Sequence, residues 1–235
     1  MSDGSFAELR RVVALANTEL AAADLVVHAF GNASGVDRDS GVFAIKPSGI
    51  ACELVGDDDI VVVALEDGAI VWGDKRPSSD TPTHRAIYLG LETAGGVVHT
   101  HSLYATAWAQ ARVPVPCLGT THADHFRGSI PVTRPLTATE IEGEYEANTG
   151  AVIVEMFAEG LDPEHAPGAL VASHGPFAWG PTAGDAVQMA SAMELLSRLA
   201  SETLAINPDL TTIEEPLLEK HFSRKHGPLA YYGQP

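Results

Sequence analysis

At 235 residues, with 45% hydrophobic and 19% charged side chains, the chain can bury a sizeable core and is unlike a disordered one. With 31 acids against 14 bases the net charge is −17, a field that repels phosphate backbones and anionic membranes while still allowing local donors to bind one small anion. The two cysteines, Cys52 and Cys117, form no disulfide framework or CxxC site that can be read, so a reducing compartment is expected.

The chain opens with Ser5-Phe6-Ala7-Glu8, which reads as a capping box ahead of a helix striped by Leu9, Val12, Val13 and Leu20, not as a secretory leader. No apolar run approaches membrane-spanning length, and a cytoplasmic protein is expected. VVHAF (26–30) and GVFAI (41–45) read as strands joined by the loop GNASGVDRDSG, and IVVVALEDGAIVWG as a hairpin about Asp67-Gly68. A helix follows over about 81–93, then the strand GGVVH, then a short helix over about 102–111. GSIPVTR (128–134) reads as a short strand, and 138–160 as helical with Gly143 and Gly150 weakening its middle. GALVASHG and FAWG read as strands, 184–205 as the most periodic helix, and 214–227 as a last short one before an aromatic tail. There is no linker and no repeat, so a single domain over 1–235 is expected, of layered α/β class with a mixed sheet.

The chemistry gathers at His99-Thr100-His101, where a buried strand ends. On a strand the two histidines share one face and Thr100 takes the other. A third histidine, His174, ends another apolar strand, and Asp80 precedes a helix. Three or four such ligands suit zinc, with one position left open for catalysis. The plain alternatives are strand-end polar residues for the histidines and an N-cap for Asp80. Three loops could hold an anion, or could simply be surface turns: Gly31-Asn32-Ala33-Ser34, Lys46-Pro47-Ser48-Gly49 and Pro77-Ser78-Ser79-Asp80. Asp124, in THADH, could be a general base or a loop carboxylate. Tyr231-Tyr232 could dock the tail, or one of them could donate a proton.

GNASGVDR, IKPSGI, KRPSSDTPTHR, GGVVHTHSLYATAWAQA, GTTHAD, GEYEANTGAVIVE, SHGPFAWG and KHFSRKHGPLAYYGQ, in this order, resemble the class II sugar-phosphate aldolase/epimerase family from about Leu9 to Gln234. HTHS and SSDTPTH are shared widely in that family, while GTTHAD and the terminal KHG-x-x-AYYGQ are similar to its epimerase branch. The resemblance implies a three-layer α/β/α fold with a central mixed, largely antiparallel sheet. It implies Asp80, His99, His101 and His174 as metal ligands, usually for zinc, with manganese or cobalt as substitutes. Substrate and phosphate would be held by Gly31, Asn32, Ser48, Gly49, Ser78 and Ser79 with Lys46 beside them, and Asp124 and Tyr232 would be the acid–base pair. Family members form four-fold symmetric homotetramers with interface sites, which Tyr232 of one subunit would reach in the next, with His221 and Arg224 lining the same interface. The implied activity is C4 epimerisation of a phosphorylated ketopentose, L-ribulose 5-phosphate to D-xylulose 5-phosphate, by retro-aldol cleavage and re-addition. An aldolase acting on a sugar phosphate such as L-fuculose 1-phosphate is the nearest rival, although such relatives carry Glu where this chain has Asp80. A scaffold like the adducin head, or a bare metal store, leaves the intact ligand set or the serine and tyrosine motifs unexplained.

Overall fold

The computed structural model describes residues 6–27, 30–227 and 230–232. In chain order its elements are α1 (Ala7–Ala22), β1 (Asn32–Asp37), β2 (Val42–Ile45), β3 (Val61–Ala64), β4 (Ile70–Trp72), α2 (Thr81–Gly90), β5 (Gly96–His99), α3 (Leu103–Ala111), α4 (Thr120–Ala123), α5 (Ala138–Glu142), α6 (Tyr145–Ala158), β6 (Gly168–Leu170), β7 (Pro176–Gly180), α7 (Ala183–Ile206) and α8 (Glu215–Lys225). The strands make one sheet in the order β4-β3-β2-β1-β5-β7-β6, and every strand pair is antiparallel. Among the described residues, parallel pairing occurs only as an isolated bridge from Val132 to Leu170.

Alternation along the strands divides the core into two layers. Val42, Ala44, Val62, Ala33, Val98 and Ala178 face α1, α3 and α7. Phe43, Ile45, Val61, Val63, Val97, Phe177 and Trp179 face α2 and α6, where they meet Ile87, Tyr88 and Ile153. Each fully buried aromatic or branched side chain contributes about 1.5–3 kcal/mol relative to exposure. Two helical layers thus enclose the sheet, giving the three-layer α/β/α arrangement.

Three local expectations change. NASGVD, read as loop, is the central strand β1, while Val26 and Val27 are not strand and the rest of VVHAF includes 28–29, outside the described residues. Small residues suit this strand because α1 and α7 press on it: a Cβ on Gly35 would lie 3.1 Å from Val13 and 3.6 Å from Ala183. Packing here overrides strand propensity. GSIPVTR forms no strand and contributes only the bridges of Ile130 with Val115 and of Val132 with Leu170. At the amino end, Phe6 occupies the N-cap position with φ 60° and no side-chain cap, and Glu8 pairs with Arg11; Ser5 lies outside the described residues.

The two glycines noted between 138 and 160 have different roles. Gly143 separates α5 from α6, whereas Gly150 lies inside α6 where that helix crosses α2. A Cβ on Gly150 would come within 2.5 Å of Ala86 Cβ and 2.9 Å of Thr83 O. Thr83 also donates to Glu146 O across the same contact, at 2.6 Å. Helix propensity alone says that Gly150→Ala stabilises by about 1 kcal/mol. The close crossing says that it costs about 1–3 kcal/mol instead. Thermal unfolding should show a lower Tm for Gly150→Ala, and a raised Tm would contradict the crossing as described.

Candidate metal centre and active site

Strand β5 ends at His99, which lies on the α2/α6 side of the sheet, the same side as Val97. Its partners across the sheet are Asn32 in β1 and Phe177 in β7. The His99 ring stacks on Phe177 with centroids 4.2 Å apart and planes 12° from parallel. Its Nδ1 donates to Pro176 O at 3.0 Å, which fixes the proton there and makes Nε2 the nitrogen that carries the lone pair. His101 lies past the strand end and is exposed, so the two histidines do not share a strand face as expected; they converge through the turn. His99 Nε2 and His101 Nε2 are 3.1 Å apart. His174 comes from the turn between β6 and β7, where Ser173 takes a left-handed φ of 64°. The ligand atoms of all three histidines lie within 4.8 Å of one another, the one such cluster among the described residues.

Asp80 stands at the N-cap of α2, but its side chain makes no capping bond. Instead Oδ2 accepts from Asn32 Nδ2 at 2.6 Å. The helix start is secured by other means: Pro82 in the first turn, and Thr81 Oγ1 donating to Ser78 O at 2.6 Å. The carboxylate is thereby free to face the histidines, although it lies outside their tight cluster. Asp80, His99, His101 and His174 line one cavity of about 290 Å³ together with Gly31, Asn32, Lys46, Ser48, Gly49, Ser78 and Ser79. All three anion-loop expectations thus meet the histidines in one place. A larger groove of about 720 Å³, bordered by Trp179, Met189 and Phe222, lies elsewhere and has no such convergence of ligands.

The cavity's charge state follows from its burial. Burial first, then the neighbouring His174 and His101, push the His99 pKa down to about 3 against the opposing pull of Asp80. Burial also lowers His101 and His174. Neutral imidazoles are the form that binds metal. Burial raises the Asp80 carboxyl, but the pull of the neighbouring His99 and His84 and the Asn32 hydrogen bond outweigh it and hold it below the usual carboxylate range, which favours the carboxylate. Lys46 is buried, with its pKa pushed down by desolvation, and its Nζ donates to Pro47 O at 3.3 Å. Asn32 Oδ1 is buried and has no hydrogen-bond partner among the described residues.

Asp124 and Tyr232 do not border this cavity in their own chain. Asp124 follows α4 and is clamped by α8: Arg224 Nε and Nη2 donate to its two oxygens at 2.9 and 2.7 Å, and His221 Nδ1 lies 3.1 Å from Oδ1. Burial raises its pKa, but these partners more than reverse that. The Arg224 guanidinium sits 4.1 Å over the Tyr232 ring, and Tyr232 remains half exposed. Asp124, His221, Arg224 and Tyr232 therefore form one cluster, and neither tyrosine of the tail is a core anchor.

The sequence reading missed several contributors. Phe30, Tyr145 and Glu146 also line the histidine cavity, and Tyr145 OH lies 3.5 Å from His174 Nδ1. Tyr145 and Glu146 open α6, more than forty residues along the chain from His101, and only the fold brings them near. Phe177, read as a plain strand residue, is the platform under His99.

Residues 11–201 match the family described as Class II Aldolase and Adducin N-terminal domain, and the chain belongs to that family. It is 53% identical over 227 residues to the L-ribulose-5-phosphate 4-epimerase UlaF of Salmonella typhi and to that of Salmonella paratyphi A, covering 97% of this chain and 99% of each relative. Among solved structures, an L-fuculose 1-phosphate aldolase superposes with a TM-score of 0.78 at 22% identity, over 95% of this chain and 97% of its own. The L-fuculose 1-phosphate aldolase of Glaciozyma antarctica superposes at 0.75 with 19% identity, over 95% and 84%. At such identities these structures speak to the fold alone.

Neutral buried histidines make the metal-free protein acid-sensitive. His84 and His122 both have folded pKa values pushed by burial from 6.5 down to about 4. Between those values the unfolded chain binds protons that the folded chain refuses, so stability rises with pH across that window. The urea midpoint of chelated protein should fall as pH drops from about 7 to about 5. A pH-independent midpoint would contradict the burial of these rings.

Proposed function

We propose that this chain is a metal-dependent epimerase that interconverts L-ribulose 5-phosphate and D-xylulose 5-phosphate by inverting C4. The observation that carries the reading is the single cavity in which three imidazoles and Asp80 face the Asn32, Lys46 and serine loops. The 53% identity to proteins of that name supports the choice of sugar. His99, His101, His174 and Asp80 would hold a divalent cation. The preformed lone pair on His99 Nε2 and the ionised carboxylate fit zinc, and manganese or cobalt would also be accepted. Once bound, the cation supplies Lewis acidity toward a ketone and its neighbouring hydroxyl.

The rest of the chemistry belongs to the chain. Ser48, Gly49, Ser78 and Ser79 hold the phosphate by hydroxyl and backbone donors, with Lys46 adding charge. The unpartnered Asn32 Oδ1 is an acceptor suited to a substrate hydroxyl. The C4 hydrogen is β to the ketone and not acidic, so inversion proceeds by breaking C3–C4. A base takes the C4 hydroxyl proton as that bond cleaves, giving a two-carbon aldehyde phosphate. The aldehyde turns its other face to the three-carbon fragment, C3–C4 re-forms, and an acid on the opposite side returns a proton to the new C4 oxygen. One group cannot serve both sides, and Asp124 and Tyr232 supply the pair. Because they lie outside their own chain's cavity, they act in a neighbouring subunit of a four-fold symmetric homotetramer. The phosphate loops keep the aldehyde from leaving during its rotation.

The direct test presents L-ribulose 5-phosphate to zinc-loaded and chelated protein and measures both D-xylulose 5-phosphate and free glycolaldehyde phosphate. Chelator-sensitive xylulose 5-phosphate without free aldehyde is expected; aldehyde as the main product would make the protein an aldolase. Tyr232→Phe should keep metal content and assembly while losing about 100-fold or more in turnover. Wild-type turnover in that variant would remove Tyr232 from the reaction. His99→Ala should leave the purified protein without stoichiometric metal, and full occupancy by elemental analysis would sink the ligand assignment.

A further inference from the structure

Asp124 and Tyr232 meet through one side chain. Arg224, in the last turn of α8, presents the edge of its guanidinium to Asp124, with Nε donating to Oδ1 at 2.9 Å and Nη2 to Oδ2 at 2.7 Å. It presents the face of the same group to the Tyr232 ring, 4.1 Å from the ring centroid. Its backbone carbonyl also accepts the amides of Tyr231 and Tyr232, at 2.9 and 3.0 Å. The tail thus hangs from Arg224 by main-chain bonds that no side-chain substitution removes, while the guanidinium supports the ring.

A guanidinium is planar and rigid, and its edge and face point in perpendicular directions. A carboxylate forked in its plane and an aromatic ring stacked above it are therefore held at one spacing and one angle. A lysine ammonium offers neither the fork nor the flat face. His221 adds a third bond to the carboxylate: its Nδ1 lies 3.1 Å from Oδ1, and because an ionised carboxylate can only accept, that nitrogen carries the proton. Oδ1 then receives two donors and Oδ2 one, so Oδ2 keeps an acceptor position open. The other charged or titratable groups about Asp124 are Lys225, His226, whose Nε2 lies 3.0 Å from Asp124 O, and the adjoining His125.

We infer that Arg224 is a positioning residue that ties Asp124 and Tyr232 into one unit with a fixed spacing. The inference rests on the reading of those two residues as the acid–base pair. Inverting C4 needs two groups on opposite sides of one carbon, and a shared planar spacer fixes their separation where two independent segments would not. Arg224 acts through the pair and not on the substrate.

The first test places fluorotyrosine at position 232 and records its fluorine NMR line at neutral pH, with no metal or substrate needed. The line should be displaced from that of free fluorotyrosine, and both Arg224→Met and Asp124→Ala should move it toward the free value. The two effects should not add, so that the double variant matches Arg224→Met. A line unmoved by Asp124→Ala, or fully additive shifts, overturns the tie. The second test is turnover of L-ribulose 5-phosphate by zinc-loaded protein across pH. Arg224→Lys keeps a charge beside Asp124 but loses the fork and the flat face, so kcat should fall about 10-fold or more while the acid limb of kcat/KM stays in place. Arg224→Met should lose kcat and also shift that limb to higher pH, because the cation that favours the carboxylate is gone. Wild-type kcat in Arg224→Lys overturns the positioning role, as does a kcat loss that tracks lost assembly or lost zinc. Absent wild-type turnover alongside coupled fluorine shifts sinks the epimerase reading alone, whereas normal turnover alongside additive shifts sinks only this inference.

Discussion

The site depends on one hydrogen bond and one stacked ring at the end of β5. Pro176 O holds the His99 proton on Nδ1 and Phe177 holds the ring plane, so Nε2 faces the cavity before any ligand arrives. Both restraints come from β7, the antiparallel neighbour that also begins just after the turn carrying His174. A single strand pairing therefore sets two of the three imidazoles. The third, His101, follows two residues after His99 and needs only the turn. Preorganisation of this kind lowers the ordering cost of binding and is typical of sites built on rigid elements rather than loops.

Asp80 reaches the same place by a different logic. The start of α2 is fixed by Pro82 and by the Thr81 hydroxyl, which relieves the N-cap carboxylate of its usual task. Helix α2 is in turn held at its far end by Arg38, which donates to the carbonyls of Tyr88, Leu91 and Ala94. Along its length it is held by the close crossing of α6 at Gly150. The small residues of β1 complete the frame by letting α1 and α7 approach the sheet from the other side. An acidic exterior is no obstacle to an anionic sugar, because the donors that would meet it are local and largely shielded from the rest of the surface.

Much of this could be read from the sequence, and the gaps have physical causes. HTH at a strand end and SSD at a helix start declare their chemistry because residue type and local periodicity coincide. NASGVD does not read as a strand because strand propensity favours bulky side chains, whereas this strand is chosen for close helix approach at Gly35. GSIPVTR alternates like a strand, yet it finds no continuous partner edge. Tyr145, Glu146 and Phe177 lie in segments that carry the family resemblance, but their residue types alone do not mark them as lining the site, since only the fold places them beside His99 and His174. The Asp124 clamp by Arg224 and His221 is likewise a long-range contact, although all three residues stood in segments that the family resemblance had singled out.

The central claim is that His99, His101, His174 and Asp80 form one cation site. Anomalous diffraction from zinc-loaded crystals, recorded at the zinc absorption edge, tests it most directly. The account predicts one strong peak per chain bounded by the three imidazole nitrogens and an Asp80 carboxylate oxygen. A peak elsewhere, or one that excludes Asp80 or any of the histidines, would contradict it.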